Sequence, residues 1–354
     1  MSGVLRPRAR RRPPGGAPAN PPGRFARWVH EPEPGERAPR PAPSVRPERS
    51  GEVLQFNRSP DLPFDRTVNP YRGCEHGCVY CYARPSHAYL DLSPGEDFER
   101  VLVYKPDAPE RLRAALARPG YRPAPIALGM NTDAYQPIER ELRLTRRLLE
   151  LLLAHHHPVT LVTKSTLILR DLDLLEALAE RRLVSVAVSL TTLDAALKAR
   201  LEPLAAGPAQ RLAVMQTLAA AGVPVGAMIA PVIPALTDHE LERLVAAAAE
   251  AGATWAAWTL LRLPHEVAPL FDAWLAEHAP LRRERVLSAL RALHGGRLYR
   301  AEWGRRMRGS GVYAELLARR FELARRRHGL AAGPPALDCR AFRPPGGRQL
   351  TLDL

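Results

Sequence analysis

Three of the four cysteines, Cys74, Cys78 and Cys81, lie close together with the spacing C-x3-C-x2-C. Thiolates packed this closely repel one another and are costly unless a cation binds them. An iron–sulfur cluster takes thiolate ligands, normally one per iron, so three cysteines leave one iron of a four-iron cluster open. Gly73 and Gly77 give the loop the backbone freedom to wrap a compact group. The spacing therefore predicts a 4Fe–4S site whose open iron binds a substrate or a cofactor.

Two other chemistries use clustered cysteines. A structural zinc site needs a fourth ligand, from His76 or from the distant Cys339, and the paired C-x2-C halves of most such sites are missing. A disulfide fits badly, because three cysteines cluster here and the sequence has no secretory signal. The spacing favours an iron–sulfur cluster, with zinc as the alternative.

The residues around the cysteines extend this pattern. Tyr80 directly precedes the third cysteine, and the run from residue 69 to residue 85 resembles the cluster loop of radical S-adenosylmethionine (SAM) enzymes. The resemblance implies that the open iron holds the amino and carboxylate groups of SAM. It also implies that Tyr80 lies near the adenine.

After this loop, short apolar runs alternate with stretches whose apolar residues repeat every three or four positions, as in a helix. Continuous apolar runs are typical of strands buried on both faces, and the alternation predicts a parallel sheet with right-handed crossovers. The strands are predicted at residues 67–72, 126–130, 159–163, 183–189, 225–230 and 255–260. The helices are predicted over residues 138–152, 172–181, 210–221, 238–251 and 312–328. The fold class is therefore α/β, a partial (β/α)6 barrel with its chemistry at the carboxyl ends of the strands. The radical SAM resemblance implies the same barrel.

Polar side chains follow successive predicted strands on the rim that also carries the cysteine loop. A zwitterion that carries a ribose and an adenine needs such a ring of polar groups. The lysine is a cation for the carboxylate, the group after the second strand supplies acceptors for the ammonium, and the hydroxyls serve the carboxylate or the ribose. These candidate SAM-binding residues are Asn131, Thr132, Asp133, Lys164, Ser189 and Thr191.

The motifs of residues 131–140, 163–165, 189–194 and 230–234, together with the cluster loop, resemble an uncharacterised bacterial radical SAM family from about residue 57 onwards. That family is similar to the spore photoproduct lyases, which repair a thymine dimer in DNA. The similarity places Thr132, Lys164 and Ser189 where the lyases hold SAM. Met130 stands where the lyases carry a hydrogen-donating cysteine, and a thioether cannot donate a hydrogen atom.

The resemblance implies an enzyme in which an electron donor, such as flavodoxin or ferredoxin, reduces the cluster. SAM is then cleaved to methionine and a 5′-deoxyadenosyl radical, which abstracts hydrogen from a substrate. DNA repair or nucleic-acid modification is the preferred role. Radical modification of a protein or small metabolite is one alternative, and a non-enzymatic iron–sulfur or zinc binding module is another.

The net charge of +14 is unevenly distributed, since residues 1–50 hold 11 arginines and 4 glutamates. They also hold 12 of the 36 prolines, so a disordered tail is expected there. The predicted domains are this tail, a barrel over residues 51–294, a helical extension over 295–336 and a proline-rich tail over 337–354. No apolar run is long enough to span a membrane, and prolines interrupt the basic N-terminal stretch where a signal peptide needs an apolar one. We therefore expect a cytoplasmic protein.

The last six residues carry leucines at alternate positions after a Gly- and Pro-rich stretch. This pattern resembles the C-terminal peptides with which DNA polymerases and repair factors bind the sliding clamp. The peptide would contact the clamp through Gln349, Leu350, Leu352 and Leu354. A final strand that docks on the body is the alternative. Cys339 is either a late hydrogen donor or, as we prefer, a free thiol.

Overall fold

The computed structural model describes residues 16–25 and 44–346. The strands are β1 (Ser44–Pro47), β2 (Leu54–Phe56), β3 (Arg66–Val68), β4 (Tyr71–Arg72), β5 (Val101–Tyr104), β6 (Ile126–Leu128), β7 (Val159–Thr163), β8 (Val184–Ser189), β9 (Val225–Val232) and β10 (Trp255–Leu260). The helices are α1 (Glu96–Arg100), α2 (Ala108–Leu116), α3 (Glu139–Leu142), α4 (Leu144–Ala154), α5 (Leu172–Glu180), α6 (Ala195–Leu201), α7 (Pro208–Ala220), α8 (Leu241–Glu250), α9 (Val267–His278), α10 (Pro280–Leu293) and α11 (Val312–Arg327). Single 3-10 turns occur at Arg84–Leu90, Thr166–Asp171 and Asp238–Glu240.

The main sheet has the strand order β10-β9-β8-β7-β6-β3-β2, in which every pair is parallel except the antiparallel edge pair of β2 and β3. Every residue of β8 is buried, which is typical of a strand that is covered on both faces. Six parallel strands with intervening helices confirm the predicted α/β partial barrel. Their carboxyl ends therefore lie along one rim.

The first strand is shorter than predicted. Residues 67–72 were expected to form one strand, but β3 ends at Val68 and β4 covers only Tyr71–Arg72. Pro70 lies between them, and proline has no N–H to donate to a ladder. Its carbonyl instead accepts from the Lys105 amide at 3.0 Å. β4 pairs with β5 in a second, three-stranded sheet of order β1-β5-β4 that the sequence analysis missed.

The helix predicted over residues 138–152 is divided in two. Arg143 has φ of +51° and separates α3 from α4. The buried Glu139 carboxylate accepts from the amides of Thr145, at 3.0 Å, and Arg146, at 3.4 Å. A carboxylate inside the fold therefore satisfies the first turn of α4, which local periodicity does not reveal.

The folded part begins before the predicted boundary at Gly51. The strand β1 lies inside the stretch expected to be disordered, and it runs parallel to β5 with Val45 buried. The ladder holds these residues because the edge of β5 supplies the missing hydrogen-bond partners. The division of the chain into domains otherwise stays a prediction.

The segment between α10 and α11 returns to the sheet. The segment of residues 302–308 spans from the edge strand β10 to the loop after β2. The Leu260 amide donates to the Met307 carbonyl at 2.8 Å, and Arg306 pairs with Asp61 at 2.5 Å. It therefore bridges the two edges of the partial barrel. None of the helices that the structure describes has the length and apolar character needed to cross a bilayer.

Candidate active site

The cysteine loop lies between β4 and the 3-10 turn Arg84–Leu90. Gly73 has φ of +77°, and a Cβ at this position would lie 2.9 Å from the Phe98 carbonyl oxygen. Gly77 has φ of +67°. Both glycines therefore adopt the left-handed conformation that the tight loop requires.

The segment after β6 fastens this loop. The buried Gln136 amide donates to the Gly73 carbonyl at 3.1 Å and accepts from the Glu75 amide at 3.0 Å. The Glu75 carboxylate in turn accepts from the Ile138 amide at 2.6 Å. These contacts connect two segments about 60 residues apart, so that the loop has one defined position against the rim.

Arg84 supports the loop from its other side. Its guanidinium is fully buried, donates to the Cys78 carbonyl at 2.9 Å and pairs with Glu99 at 2.5 Å. It also donates to the carbonyls of Pro94 and Gly95. Arg84 therefore ties the backbone of the cysteine loop to the segment of residues 94–99.

The cysteines fit a four-iron cluster better than a single metal ion. Burial raises the pKa of the Cys74 thiol, and it raises the pKa of Cys78 to about 12, so thiolates are stable here only against a cation. Among the described residues, no group of three or more His, Cys, Asp or Glu is arranged to hold one metal ion. Thiolates that share one zinc must converge on it at about 2.3 Å, whereas cluster ligands each bind a different iron.

Neither fourth ligand of the zinc alternative supports that site. His76 Nδ1 lies 3.3 Å from the Asp133 carboxylate and is therefore engaged with the rim. Cys339 lies in a segment whose Asp338 amide donates to the Arg182 carbonyl, next to the amino end of β8. It is thus at the opposite end of the sheet from the cysteine loop. This position also contradicts the alternative role of Cys339 as a hydrogen donor.

Lys164 and Ser189 meet at the carboxyl ends of β7 and β8. The Lys164 ammonium donates to the Ser189 hydroxyl at 2.8 Å, and that hydroxyl donates to the Ala230 carbonyl at 3.2 Å. Lys164 is half-buried, while Ser189 is almost fully buried. The contact holds the Lys164 ammonium at the rim, and two of its N–H groups remain to donate to an anionic group.

Tyr80 and Thr191 belong to a buried network. Both hydroxyls donate to the Glu202 carboxylate, Thr191 at 2.8 Å, and Arg211 pairs with the other carboxylate oxygen. Burial raises the pKa of Glu202, but Arg211 and Lys164 more than offset this effect and hold it at about 2. Glu202 is therefore charged and fixes the ring of Tyr80 against the rim.

Asn131, Thr132 and Asp133 form a second group. The Asp133 carboxylate accepts from the Lys164 amide at 2.7 Å, the Thr163 hydroxyl at 2.8 Å and the Tyr135 amide at 2.9 Å. The Thr132 hydroxyl donates to a backbone carbonyl of β4, and the Asn131 side-chain amide donates to a serine hydroxyl. Asp133 is thus committed to joining β6, β7 and the cysteine loop.

Several residues of this region escaped the sequence analysis. Glu202 carries no local signal, because its partner Tyr80 lies 122 residues away, although Arg211 is only nine residues from it. Gln136 belongs to the motif of residues 131–140, but its partners in the cysteine loop lie more than 60 residues away. Arg84 follows the third cysteine by three positions, and this proximity was the one available hint. Tyr82 is 46% exposed, donates to the Met130 carbonyl at 2.5 Å, and its ring lies 4.1 Å from the Arg262 guanidinium.

A family model described as the Radical SAM superfamily matches residues 68–248. An uncharacterised protein of Mycobacterium tuberculosis is 42% identical over 221 residues, which is 62% of this chain and 65% of that protein. An uncharacterised protein of Methanocaldococcus jannaschii is 30% identical over 173 residues, which is 49% of this chain and 62% of that protein. The match thus spans less than two thirds of these relatives.

A solved structure named spore photoproduct lyase, complexed with dinucleoside spore photoproduct, has a similar fold. The TM-score is 0.60 at 14% identity, and the match covers 81% of this chain and 80% of that one. A variant of that lyase with bound AdoMet and the same dinucleoside gives a TM-score of 0.61. Identity this low shows a shared fold alone.

Proposed function

We propose, since this chain belongs to the radical SAM superfamily, that it is a cytoplasmic enzyme that acts on nucleic acid, in DNA repair or modification. Its cofactors are a 4Fe–4S cluster and SAM, which when bound supply a 5′-deoxyadenosyl radical for hydrogen abstraction. Enzymes of the superfamily also need an electron donor, for which we propose a flavodoxin or a ferredoxin. The protein positions these groups and the substrate.

We propose Cys74, Cys78 and Cys81 as the cluster ligands. Lys164 with Ser189 would hold the SAM carboxylate, and Tyr80 with Thr191 would border the adenosine. For the ammonium we favour Asn131 or Thr132, because the Asp133 oxygens are already occupied by three donors and His76.

The observation that carries the nucleic-acid proposal is the fold. Over 81% of this chain it resembles the fold of a lyase that was solved in complex with a dinucleoside spore photoproduct. One surface feature supports it. Trp303 is 60% exposed on the segment that bridges the two edges of the partial barrel. An exposed indole is a platform on which a base can stack. Met130 differs from the donor cysteine of the lyases, so we leave the reaction on the substrate unassigned.

The test measures the transfer of hydrogen from the substrate to 5′-deoxyadenosine, the product formed from SAM. The reduced, reconstituted protein would be incubated with SAM and with ultraviolet-irradiated DNA, intact DNA or a small-molecule and peptide extract. We expect irradiated DNA to accelerate formation of 5′-deoxyadenosine at least about tenfold, and deuterated DNA to place deuterium in it. Acceleration by the extract but not by DNA would favour modification of a protein or small metabolite.

The clamp-binding peptide lies outside the described residues. We propose it on its sequence pattern, as a means of bringing the enzyme to DNA. A peptide of residues 343–354 should bind purified sliding clamp with a micromolar-range constant, roughly −7 to −8 kcal/mol. Replacing Gln349 and Leu352 by alanine should remove binding, and a wild-type peptide that does not bind would end this proposal.

A further inference from the structure

A groove runs along the carboxyl rim of the barrel, beside α6 and the α9–α10 junction. One cavity of about 630 Å³ lies between α6, the start of α8 and this junction. A second of about 590 Å³ shares His239 and Arg282 with the first and extends to Arg285 and Tyr313. We call the combined surface the arginine groove. It is lined by Arg200, Arg243, Arg282 and Arg285, and also by the carboxylates of Asp194, Asp238 and Glu240.

The arginines of the arginine groove are not paired with carboxylates. Within the part of the chain that the structure describes, Arg200, Arg243, Arg282 and Arg285 form no ion pair, although their neighbours do. Arg283, for example, pairs with Asp272 at 2.6 Å. Four arginines from three helices therefore face one concave surface without an ion-pair partner, and they outnumber the three carboxylates that line it by one.

The carboxylates near the arginine groove are committed to the backbone and to hydroxyls. Asp194 accepts from the amides of Ala196 and Leu197 and caps α6, with distances of 2.8 and 3.0 Å. The buried Glu240 accepts from the Thr192 hydroxyl. Asp238 accepts from the Tyr313 hydroxyl. None of these carboxylates pairs with a groove arginine in the described part of the chain.

Two further observations favour an anionic ligand. The helices α8 and α10, of 10 and 14 residues, both begin at the arginine groove, and their N-terminal ends add partial positive charge. The Arg200 Nε is buried and has no hydrogen-bond partner among the described residues. The Arg200 Nη1 donates to the His278 carbonyl at 3.4 Å, which holds this side chain against the wall.

The arginine groove is also connected to the cysteine loop. Leu197 and Leu236 line it and belong to the apolar cluster that includes Val79 and Tyr80. A ligand in the groove therefore lies on the outer side of the apolar layer that supports the loop.

We propose that the arginine groove binds the sugar–phosphate backbone of a DNA strand and guides it along the rim. The choice of DNA rests on the proposed function. Arginines distributed over two connected cavities fit a chain of phosphates better than a single one.

The test measures phosphate contacts by the salt dependence of binding. The reconstituted full-length protein would bind a fluorescein-labelled oligonucleotide, followed by anisotropy at several salt concentrations. Each phosphate contact contributes about 0.7 to the slope of log K against log salt for single strands and about 0.9 for duplexes. We expect the triple variant Arg243→Gln/Arg282→Gln/Arg285→Gln to reduce the slope by about 2 to 3.

A matched variant removes the same charge elsewhere. Arg113→Gln/Arg122→Gln/Arg327→Gln changes three exposed arginines outside the arginine groove and should leave the slope unchanged. Circular dichroism and iron content would establish that both variants fold and bind the cluster. Equal slopes for the two triple variants would overturn the inference that the arginine groove binds DNA and would leave the proposed function intact. A wild type that binds no oligonucleotide would end both. Complete competition by ATP would indicate a nucleotide pocket and would also overturn the DNA-strand inference.

Discussion

Individual side chains at the rim divide into those that face a ligand and those that hold the rim together. Asp133 and Glu202 are buried carboxylates whose pKa values lie at about 2 despite the effect of burial. Each accepts from several donors and so joins neighbouring strands. Lys164 differs, because its ammonium has one hydroxyl partner at 2.8 Å and keeps two protons for another acceptor. It is therefore the side chain that we propose contacts an anionic group at the rim.

Lys164→Ala should weaken SAM binding without changing the cluster. The loss of a charge-assisted hydrogen bond costs roughly 1.5–3 kcal/mol, or roughly 10- to 150-fold in the dissociation constant. Equilibrium dialysis with the reconstituted protein measures the affinity, and the visible absorption spectrum reports on the cluster. Ser189→Ala should act in the same direction. The exposed Arg113→Ala is the control for general loss of charge, and an unaltered affinity in Lys164→Ala would remove this residue from the site.

Cys78→Ala should abolish cluster assembly. Anaerobic reconstitution of the wild type should give about four irons and four sulfides per chain, because each thiolate binds one iron of a cubane. Iron and sulfide analysis measures this content. Cys339→Ala is the matched control and should retain full iron, since this cysteine lies at the other end of the sheet. Stoichiometric zinc with no uptake of iron by the wild type would contradict the cluster assignment.

At the level of elements, buried polar contacts fasten the loops to the strands. The Glu202–Arg211 pair joins the end of α6 to α7, and Arg211 also donates to the Ser189 carbonyl at 3.0 Å. A hydrogen bond of Gln136 likewise joins the segment after β6 to the cysteine loop. Breaking a buried pair leaves an uncompensated charge, so these contacts set the position of the rim as well as its stability.

Arg211→Met should lower the free energy of unfolding by about 3–5 kcal/mol, because it leaves the buried Glu202 carboxylate without its cation. Urea denaturation under anaerobic conditions, followed by circular dichroism, measures this loss. Glu202→Gln/Arg211→Met removes both charges and keeps an acceptor for Tyr80. The double variant should therefore recover part of the stability. Losses that simply add would mean that the two residues are not coupled.

At the scale of the whole molecule, residues 338–343 pack against the amino end of the sheet. The Arg343 amide donates to the His155 carbonyl at 2.9 Å, and Phe342 packs on Tyr121 and His157. His157 Nδ1 lies 2.9 Å from the Pro158 carbonyl and must donate to it, so Nε2 accepts from the Tyr121 hydroxyl at 2.7 Å. The candidate site and residues 342–343 thus lie at opposite ends of the strands.

This arrangement predicts a loss of stability in acid. Burial, with smaller effects from Arg66 and His155, lowers the pKa of His157 from 6.5 to about 4. Between these values the unfolded chain binds a proton that the folded chain does not, so stability falls as the pH decreases through this window. The free energy of unfolding should fall by about 3 kcal/mol from this residue. Denaturation at several pH values measures the loss.

His157→Gln removes the titrating group and should show a smaller loss across the same window. The exposed His328→Gln is the control and should follow the wild type. A wild type and a His157→Gln variant with identical pH dependence would contradict the buried, neutral state of this histidine.

Local sequence determined the cysteine loop and most of the sheet. The spacing of Cys74, Cys78 and Cys81 and the apolar runs of β7 and β10 are patterns within a few residues, and β7 and β10 have the predicted bounds. The polar residues after the strands were also visible in sequence, since parallel strands place their carboxyl ends on one rim. The barrel followed from these patterns, and so did the proposal that its chemistry lies at the carboxyl rim.

Tertiary structure alone decided which side chains meet. Glu202 and Tyr80, Gln136 and Gly73, and the arginines that α6, α8 and α10 contribute to the groove come from segments that no periodicity connects. The second sheet depends on pairing of β1 with β5, more than 50 residues apart. Such contacts depend on where the folded chain brings distant segments together, and the residues near each partner in sequence do not contain that information.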